Sequence, residues 1–247
     1  MLFQIPSPTQ YDLRFTIAGI PVSVHPLFWL VALVFGSSGN LIFIPVWIFV
    51  IFISILIHEL GHAFAFRRYG QRSRIVLHFA GGLTIPETSA LDGWAGVPSS
   101  PMRQIFISLA GPFAGFLFAA VIILGVVLTG GAVQTSWLFG FIPLPLSPSL
   151  SFGGALLSTL VGMLLWVNIF WGLMNLLPVY PLDGGQVSRN IFIQYDPWDG
   201  VRKSLWLSVI AGGLIALLAF FVLRSTYTAV LFGLLAFQSF QALQVRY

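Results

Sequence analysis

The sequence predicts an all-α polytopic membrane protein with about six transmembrane helices and a small β-hairpin after the second helix. Of its 247 residues, 57% are apolar and only 7% are charged. A soluble domain is about one quarter charged, so this chain lacks the polar residues that would cover a water-exposed surface. Its 24 Phe and 8 Trp residues fit an exterior that faces lipid. The composition therefore excludes an ordinary soluble protein.

The charged residues and the absence of Cys exclude several other classes of protein. The net charge is +4, but the 11 basic residues are few and scattered, so we expect no binding to nucleic acid. Because there is no Cys, disulfides, thiolate nucleophiles, iron–sulfur clusters and zinc sites with Cys ligands are excluded. The first 26 residues lack the charged start and apolar run of a signal peptide, so we expect no cleavable leader.

Six apolar segments account for the predicted transmembrane helices. A helix needs about 20 residues, at about 1.5 Å per residue, to cross roughly 30 Å of hydrocarbon. We expect residues 1–247 to form a single transmembrane domain. Its predicted spans are 26–37, which is short, and then 41–66, 102–128, 152–177, 203–223 and 227–243.

Two connections between the spans differ from simple loops. Residues 71–101 contain two short apolar runs around Gly81 and Gly82, which predict a β-hairpin or a bent edge strand. Residues 129–151 carry no charge and are rich in Gly, Pro and Ser, so we expect them to lie along the outer interface of the membrane. Neither connection is long enough to form an independent soluble domain.

The basic residues predict the orientation of the chain in the membrane. Six spans put both termini on one side, and Arg224 is the one basic residue that falls on the other side. Because basic residues concentrate on the cytoplasmic side, we expect a multi-pass protein of a bacterial or archaeal cell membrane with both termini cytosolic. The basic residues on the side of the termini are Arg14, Arg67, Arg68, Arg72, Arg74, Arg103, Arg189, Arg202, Lys203 and Arg246.

The second span carries the candidate catalytic residues. His58, Glu59 and His62 fall within five consecutive positions of an otherwise apolar sequence. Residues i and i+4 of a helix share a face, so both imidazoles can point at one ion. Zn²⁺ suits such a pair, and the intervening Glu59 can act as a general base toward water. Two polar residues that merely pack helices are the weaker interpretation, since ionisable groups inside a membrane are costly and usually functional.

A third metal ligand is needed because catalytic zinc usually takes three protein ligands. Asp183 is the best-placed candidate. His78 lies in a connection, and the remaining acidic residues outside the motif lie in connections or before the first span. Asp183 follows the fourth span after two Pro residues that must break the helix, and the two Gly residues after it allow a tight turn. One Zn²⁺ against Asp183 and Glu59 sums to zero charge, which favours burying the two carboxylates together.

The motifs that bear these residues also support a resemblance to a known family. The first is His58-Glu59-Leu60-Gly61-His62, and the second runs from Asn175-Leu176-Leu177-Pro178 into Pro181-Leu182-Asp183-Gly184. Together and in this order, they resemble the site-2 protease family of intramembrane zinc metalloproteases. The resemblance covers about residues 15 to 190, although family members often carry Asn where this chain has Gly115. Because a PDZ or CBS domain would need about a hundred further soluble residues, we expect neither here, and the sequence resembles the compact branch of the family.

The resemblance implies an intramembrane zinc endopeptidase that cleaves single-span membrane-protein substrates within the lipid bilayer. By this resemblance, Asn175 would help to orient the substrate peptide or its oxyanion. Gly81 and Gly82 would lie on a membrane-associated β element where the substrate unwinds and pairs. The residues that it assigns are the ligands of one zinc, His58, His62 and Asp183, then the general base Glu59, and also Asn175, Gly81 and Gly82.

Two other functions are compatible with parts of the sequence. A non-catalytic membrane scaffold or transporter could use the same zinc as a structural ion, although it would have no need of Glu59. A serine intramembrane protease could use Ser38, which lies in a Gly-Ser-Ser-Gly turn. His25, at the start of the first span, is interpreted as an interfacial residue rather than a metal ligand.

Overall fold

The structure is a computed structural model that describes residues 7–30, 43–79, 81–87, 100–138 and 142–244. Helices and strands within these ranges are numbered in chain order. The helices are α1 (Ile44–Arg68), α2 (Pro101–Leu128), α3 (Gly154–Asn175), α4 (Asp183–Tyr195), α5 (Gly200–Phe221) and α6 (Thr226–Gln244). The strands are β1 (Leu13–Ile17), β2 (Ile20–Val24), β3 (Ser73–His78), β4 (Gly81–Pro86), β5 (Ala132–Leu138) and β6 (Ile142–Ser149).

Five of these helices are long and apolar enough to cross a membrane. They are α1, α2, α3, α5 and α6, and their mean hydropathies lie between 1.2 and 2.4. They coincide with the second to sixth predicted spans, with ends that differ from the predicted ones by at most a few residues. Of the first predicted span, residues 26–30 are helical and residues 31–37 lie outside the described residues. The mostly helical class predicted from composition is therefore confirmed.

A four-stranded sheet adjoins the N-terminal half of this fold, with strand order β1-β2-β3-β4. β1 and β2 form an antiparallel hairpin whose turn residues, Ala18 and Gly19, have φ values of 49° and 80°. β2 then pairs with β3 in parallel, and β3 pairs with β4 in antiparallel orientation. The predicted hairpin around the Gly pair is confirmed as β3–β4, but the sequence analysis did not predict the other two strands.

The sheet lies against α1 through an apolar core. The side chains of β2 alternate, so that Ile20, Val22 and Val24 are buried while Pro21 is exposed. These residues pack with Ile75 and Leu77 of β3 and with apolar residues of α1 such as Ile55, Leu56 and Ala63. Burial of this core fixes the sheet against the part of α1 that carries the candidate catalytic residues.

The uncharged connection before α3 also contains strands rather than an irregular segment. β5 and β6 form a two-stranded antiparallel sheet with a register shift between Gln134 and Thr135. β6 contains three Pro residues, which it tolerates because β5 is the one strand that pairs with it in the described part of the chain. Leu144 of β6 packs with Ala119 of α2 and Leu165 of α3. Its predicted place at the outer interface of the membrane stays a prediction.

The chain divides into two compact units, residues 1–96 with 113–172, and residues 97–112 with 173–247. In the second unit, Val179 packs with Phe232 and Leu235 of α6. α4 begins at Asp183, where the sequence analysis expected a tight turn at the following two Gly residues. Those residues instead meet backbone closely, because a Cβ on Gly184 or Gly185 would overlap backbone atoms of residues 176–180. The single domain over residues 1–247 stays a prediction.

Candidate active site

His58 and His62 lie one helical turn apart on α1, and their imidazoles converge. The two Nε2 atoms are 3.1 Å apart, and the ring centroids are 4.9 Å apart at an interplanar angle of 76°. Both side chains are buried, with 6% and 8% of their surface exposed. The i, i+4 spacing on one helix is sufficient to create this arrangement.

The predicted third ligand, Asp183, is the first residue of α4 and belongs to the second compact unit. Its part in the metal site stays a prediction. Two imidazole nitrogens and one carboxylate oxygen, with a fourth position open, are the donor set of many catalytic zinc sites. At Zn–N distances of about 2.0 Å, tetrahedral geometry separates two ligand atoms by roughly 3.3 Å, close to the spacing of the two Nε2 atoms. The two imidazoles therefore fit zinc, and a carboxylate as third ligand would complete the set.

Glu59 is also buried, and strand β4 contacts it. Only 5% of Glu59 is exposed. The hydroxyl of Thr84 lies 2.7 Å from Oε2 of Glu59 and 3.0 Å from its backbone carbonyl oxygen, so it can donate to either. The sequence analysis did not single out Thr84. It stands two residues after Gly82 on the same strand, and it therefore shares the face of the sheet that turns toward α1.

The two Gly residues of β4 have different surroundings. A Cβ on Gly82 would lie 2.5 Å from Oε1 and 2.7 Å from Cδ of Glu59, so a side chain here would displace the carboxylate. Gly81 has a φ of 120° and open space around the position of a Cβ. The structure thus brings Gly82 to the candidate site, whereas at Gly81 glycine is needed for its backbone conformation. The role of either residue in substrate binding stays a prediction.

The register of β4 leaves one of its edges open. The backbone N–H of Glu87 donates to the carbonyl of Arg72 at 2.8 Å, so Arg72 and Glu87 form a hydrogen-bonded pair of the antiparallel ladder. Hydrogen-bonded pairs alternate along an antiparallel ladder, so the backbone groups of Gly82, Thr84 and Pro86 point away from β3. Within the described ranges, β3 is the one strand paired with β4. Gly82 and Thr84 therefore offer backbone groups at an edge beside Glu59.

A buried amide supports α1 one turn before His58. Nδ2 of Asn168, in α3, donates to Oγ of Ser54 at 2.9 Å and to the carbonyl of Leu164 at 2.8 Å. Asn168 is 3% exposed, and its Oδ1 would lie 3.6 Å from a Cβ on Gly115. Gly115 is the position at which the sequence departs from the family pattern, and the amide of Asn168 stands beside it. An Asn amid the apolar middle of a span was the available signal for this contact.

The remaining candidates from the sequence have simpler surroundings. Asn175 is buried at the last position of α3, and its role stays a prediction. Nδ1 of His25 accepts a hydrogen bond from the backbone N–H of Leu27 at 3.2 Å, so this ring caps the helical residues that follow it. Ser38 lies outside the described residues.

Comparison with known proteins gives consistent matches. Residues 46–219 match the sequence model of peptidase family M50. The fold is similar to the solved structure of a site-2 protease from Methanocaldococcus jannaschii, with a TM-score of 0.55 and 26% identity over 94% of this chain and 95% of that chain.

Two curated relatives are also similar in sequence. Zinc metalloprotease MJ0392 of Methanocaldococcus jannaschii is 27% identical over 90% of this chain and 59% of its own length. Putative zinc metalloprotease Rip3 of Mycobacterium tuberculosis is 31% identical over 70% of this chain and 34% of its own length. The chain thus spans between one third and three fifths of these relatives.

Proposed function

Because this chain belongs to peptidase family M50, we propose that it is an intramembrane endopeptidase that cleaves transmembrane segments of single-span membrane proteins. Members of this family are metallopeptidases, and we assign a zinc ion to this chain with His58, His62 and Asp183 as its proposed ligands. The observation that carries the proposal is that the converging imidazoles of His58 and His62 lie beside a buried Glu59 on an apolar helix long enough to span a membrane.

The proposed chemistry assigns both proton transfers to Glu59. When bound, zinc would supply a Lewis acid that activates water and polarises the scissile carbonyl. The carboxylate of Glu59 accepts a proton from the water as the water oxygen bonds to the scissile carbonyl carbon. Glu59 then passes this proton to the leaving nitrogen as the C–N bond breaks. Asn175 is proposed to help orient the substrate or to stabilise the oxyanion.

The open edge of β4 supports a proposal for how the substrate is presented. The carbonyls of a helical substrate are engaged in hydrogen bonds within its helix, so the segment must unwind before water can attack. An unwound segment that pairs along β4 regains hydrogen bonds from Gly82 and Thr84. Pairing at this edge would also place the substrate backbone next to Glu59, which contacts both residues.

The proposed location is a cell membrane with both termini in the cytosol. Its support is the sequence bias, in which ten basic residues fall on one side of the predicted spans and one falls on the other. Cleavage would then release the cytosolic part of a substrate.

The decisive experiment substitutes Glu59 in protein reconstituted into lipid vesicles with a single-span substrate. Glu59→Gln should bind zinc as wild type does and lose cleavage by roughly 10²-fold or more, as expected for loss of a general base. The matched control is Glu87→Gln, since Glu87 is exposed at the end of β4 and its side chain has no proposed role. Equal cleavage by wild type and Glu59→Gln would refute the mechanism, and activity lost in Ser38→Ala but retained after zinc chelation would favour a serine protease.

A further inference from the structure

Thr84 connects the sheet to the proposed general base through its hydroxyl group. Its Oγ1 lies 2.7 Å from Oε2 of Glu59, within the range of a short hydrogen bond to a carboxylate. The same Oγ1 is 3.0 Å from the backbone carbonyl oxygen of Glu59. The hydroxyl therefore contacts both the side chain and the backbone of one residue, which restricts the position of the carboxylate relative to the axis of α1.

A Glu side chain needs such a restriction if it is to exchange protons in one geometry. It has several rotatable bonds, and its terminal torsion is broad. Gly82 lies close to one side of the Glu59 carboxylate, because a Cβ added to Gly82 would lie 2.5 Å from Oε1. Thr84 engages Oε2. Strand β4 thus bounds both oxygens of Glu59 through two residues on the same face.

The hydroxyl is not needed to hold β4 in the sheet. Six residue pairs join β4 to β3, from Ser73 with Pro86 to His78 with Gly81. Val has nearly the shape of Thr and a high preference for strands, so Thr84→Val keeps both the branched side chain and the strand. What this substitution removes is the donor to Glu59.

From this geometry we propose that Thr84 is a positioning residue for the general base. Its hydroxyl holds Oε2 of Glu59, so that Oε1 is left to take the proton from water and to return it to the leaving nitrogen. Thr84 keeps its own proton throughout, and no bond to Thr84 forms or breaks. This inference rests on the proposed function, because it matters only if Glu59 transfers protons.

The test is a set of variants assayed in lipid vesicles with a single-span substrate. Thr84→Val should lower kcat by roughly 10-fold to 100-fold, a part of the 10²-fold to 10⁴-fold contribution of a general base. KM, zinc content and the thermal unfolding midpoint should stay near those of wild type. Thr84→Ser, which keeps the hydroxyl, should retain kcat within about threefold of wild type. Thr16→Val, at an exposed position of β1, is the matched control and should change none of these values.

A double variant shows whether Thr84 acts through Glu59. If it does, adding Thr84→Val to Glu59→Gln should cause no further loss of kcat, because the group being positioned is already absent. Equal further losses in both backgrounds would overturn the proposal. So would an unchanged kcat in Thr84→Val, a loss seen mainly in KM, or a Thr84→Ser variant as impaired as Thr84→Val.

Two controls separate this proposal from the function on which it rests. Should Thr84→Val fail to fold, Thr84→Ala replaces it in the same comparison with Thr84→Ser. If Glu59→Gln alone cleaves as fast as wild type, the proposed function fails. If Glu59→Gln is inactive but Thr84→Val is fully active, only the role of Thr84 is refuted.

Discussion

Gly82 of β4 lies directly against the side chain of Glu59 on α1. A Cβ added to Gly82 would stand 2.5 Å from Oε1 of Glu59, which is closer than non-bonded atoms approach. Strand and helix meet here because Gly82 shares its face of the sheet with the buried Leu77 that packs on α1. The absence of a side chain at position 82 is therefore a condition for the observed position of the carboxylate.

The first prediction concerns Gly82→Ala. The added methyl group must displace the carboxylate of Glu59 or push β4 away, so kcat should fall by roughly 10²-fold, as for loss of a general base. Zinc content should not change, since the metal ligands are untouched. The control is Gly125→Ala in α2, where a Cβ would meet nothing within 4 Å. Wild-type cleavage by Gly82→Ala would contradict the close contact.

The second prediction concerns the metal ligands. Elemental analysis should find about one zinc per chain, and the content should fall sharply in His58→Ala, His62→Ala and Asp183→Ala, because each removes one of the three proposed protein ligands. Chelation should abolish cleavage, and added zinc should restore it. Asp196→Ala serves as the control, because Asp196 pairs with Lys203 at 2.6 Å at the protein surface. Full zinc content in Asp183→Ala would remove Asp183 from the site.

A third prediction tests the contact between Asn168 and Ser54. Hydrogen bonds between membrane helices contribute on average about 0.6 kcal/mol. Asn168→Ala should therefore lower the free energy of unfolding by roughly 0.6 to 2 kcal/mol. Ser54→Ala should lower it less, since it removes the smaller group. A double-mutant cycle in detergent or bicelles measures the coupling. Strict additivity of the two substitutions would show that the contact contributes nothing to stability.

The fourth prediction is the depth of the cut in the substrate. His62 lies six residues before the end of α1 at Arg68, about 9 Å along the axis at 1.5 Å per residue. The basic residues at that end favour the cytosolic side. We therefore expect hydrolysis within the cytosolic half of the substrate span, as mapped by mass spectrometry of the products. Cleavage sites in the outer half, or outside the membrane, would contradict the proposed orientation.

Local patterns in the sequence were enough to predict much of this protein. Span positions follow from long apolar runs, which need no tertiary contact to be recognised. The converging imidazoles of His58 and His62 follow from their i, i+4 spacing on one helix. The hairpin at the Gly pair follows from two short apolar runs that flank a turn. In each case the interacting residues are close in the chain.

The sequence by itself thus determined the helical membrane class, the metal-binding motif and the family, because each depends on composition or on short fixed spacings. Only the tertiary structure decided that β2 pairs with β3, some fifty residues away, and that Thr84 and Gly82 contact Glu59. Strand register and the packing of a sheet on a helix set these contacts, and no local spacing specifies them. The contacts of Glu59 with the hydroxyl of Thr84 and with Gly82 could therefore be recognised only from the position of β4 against α1.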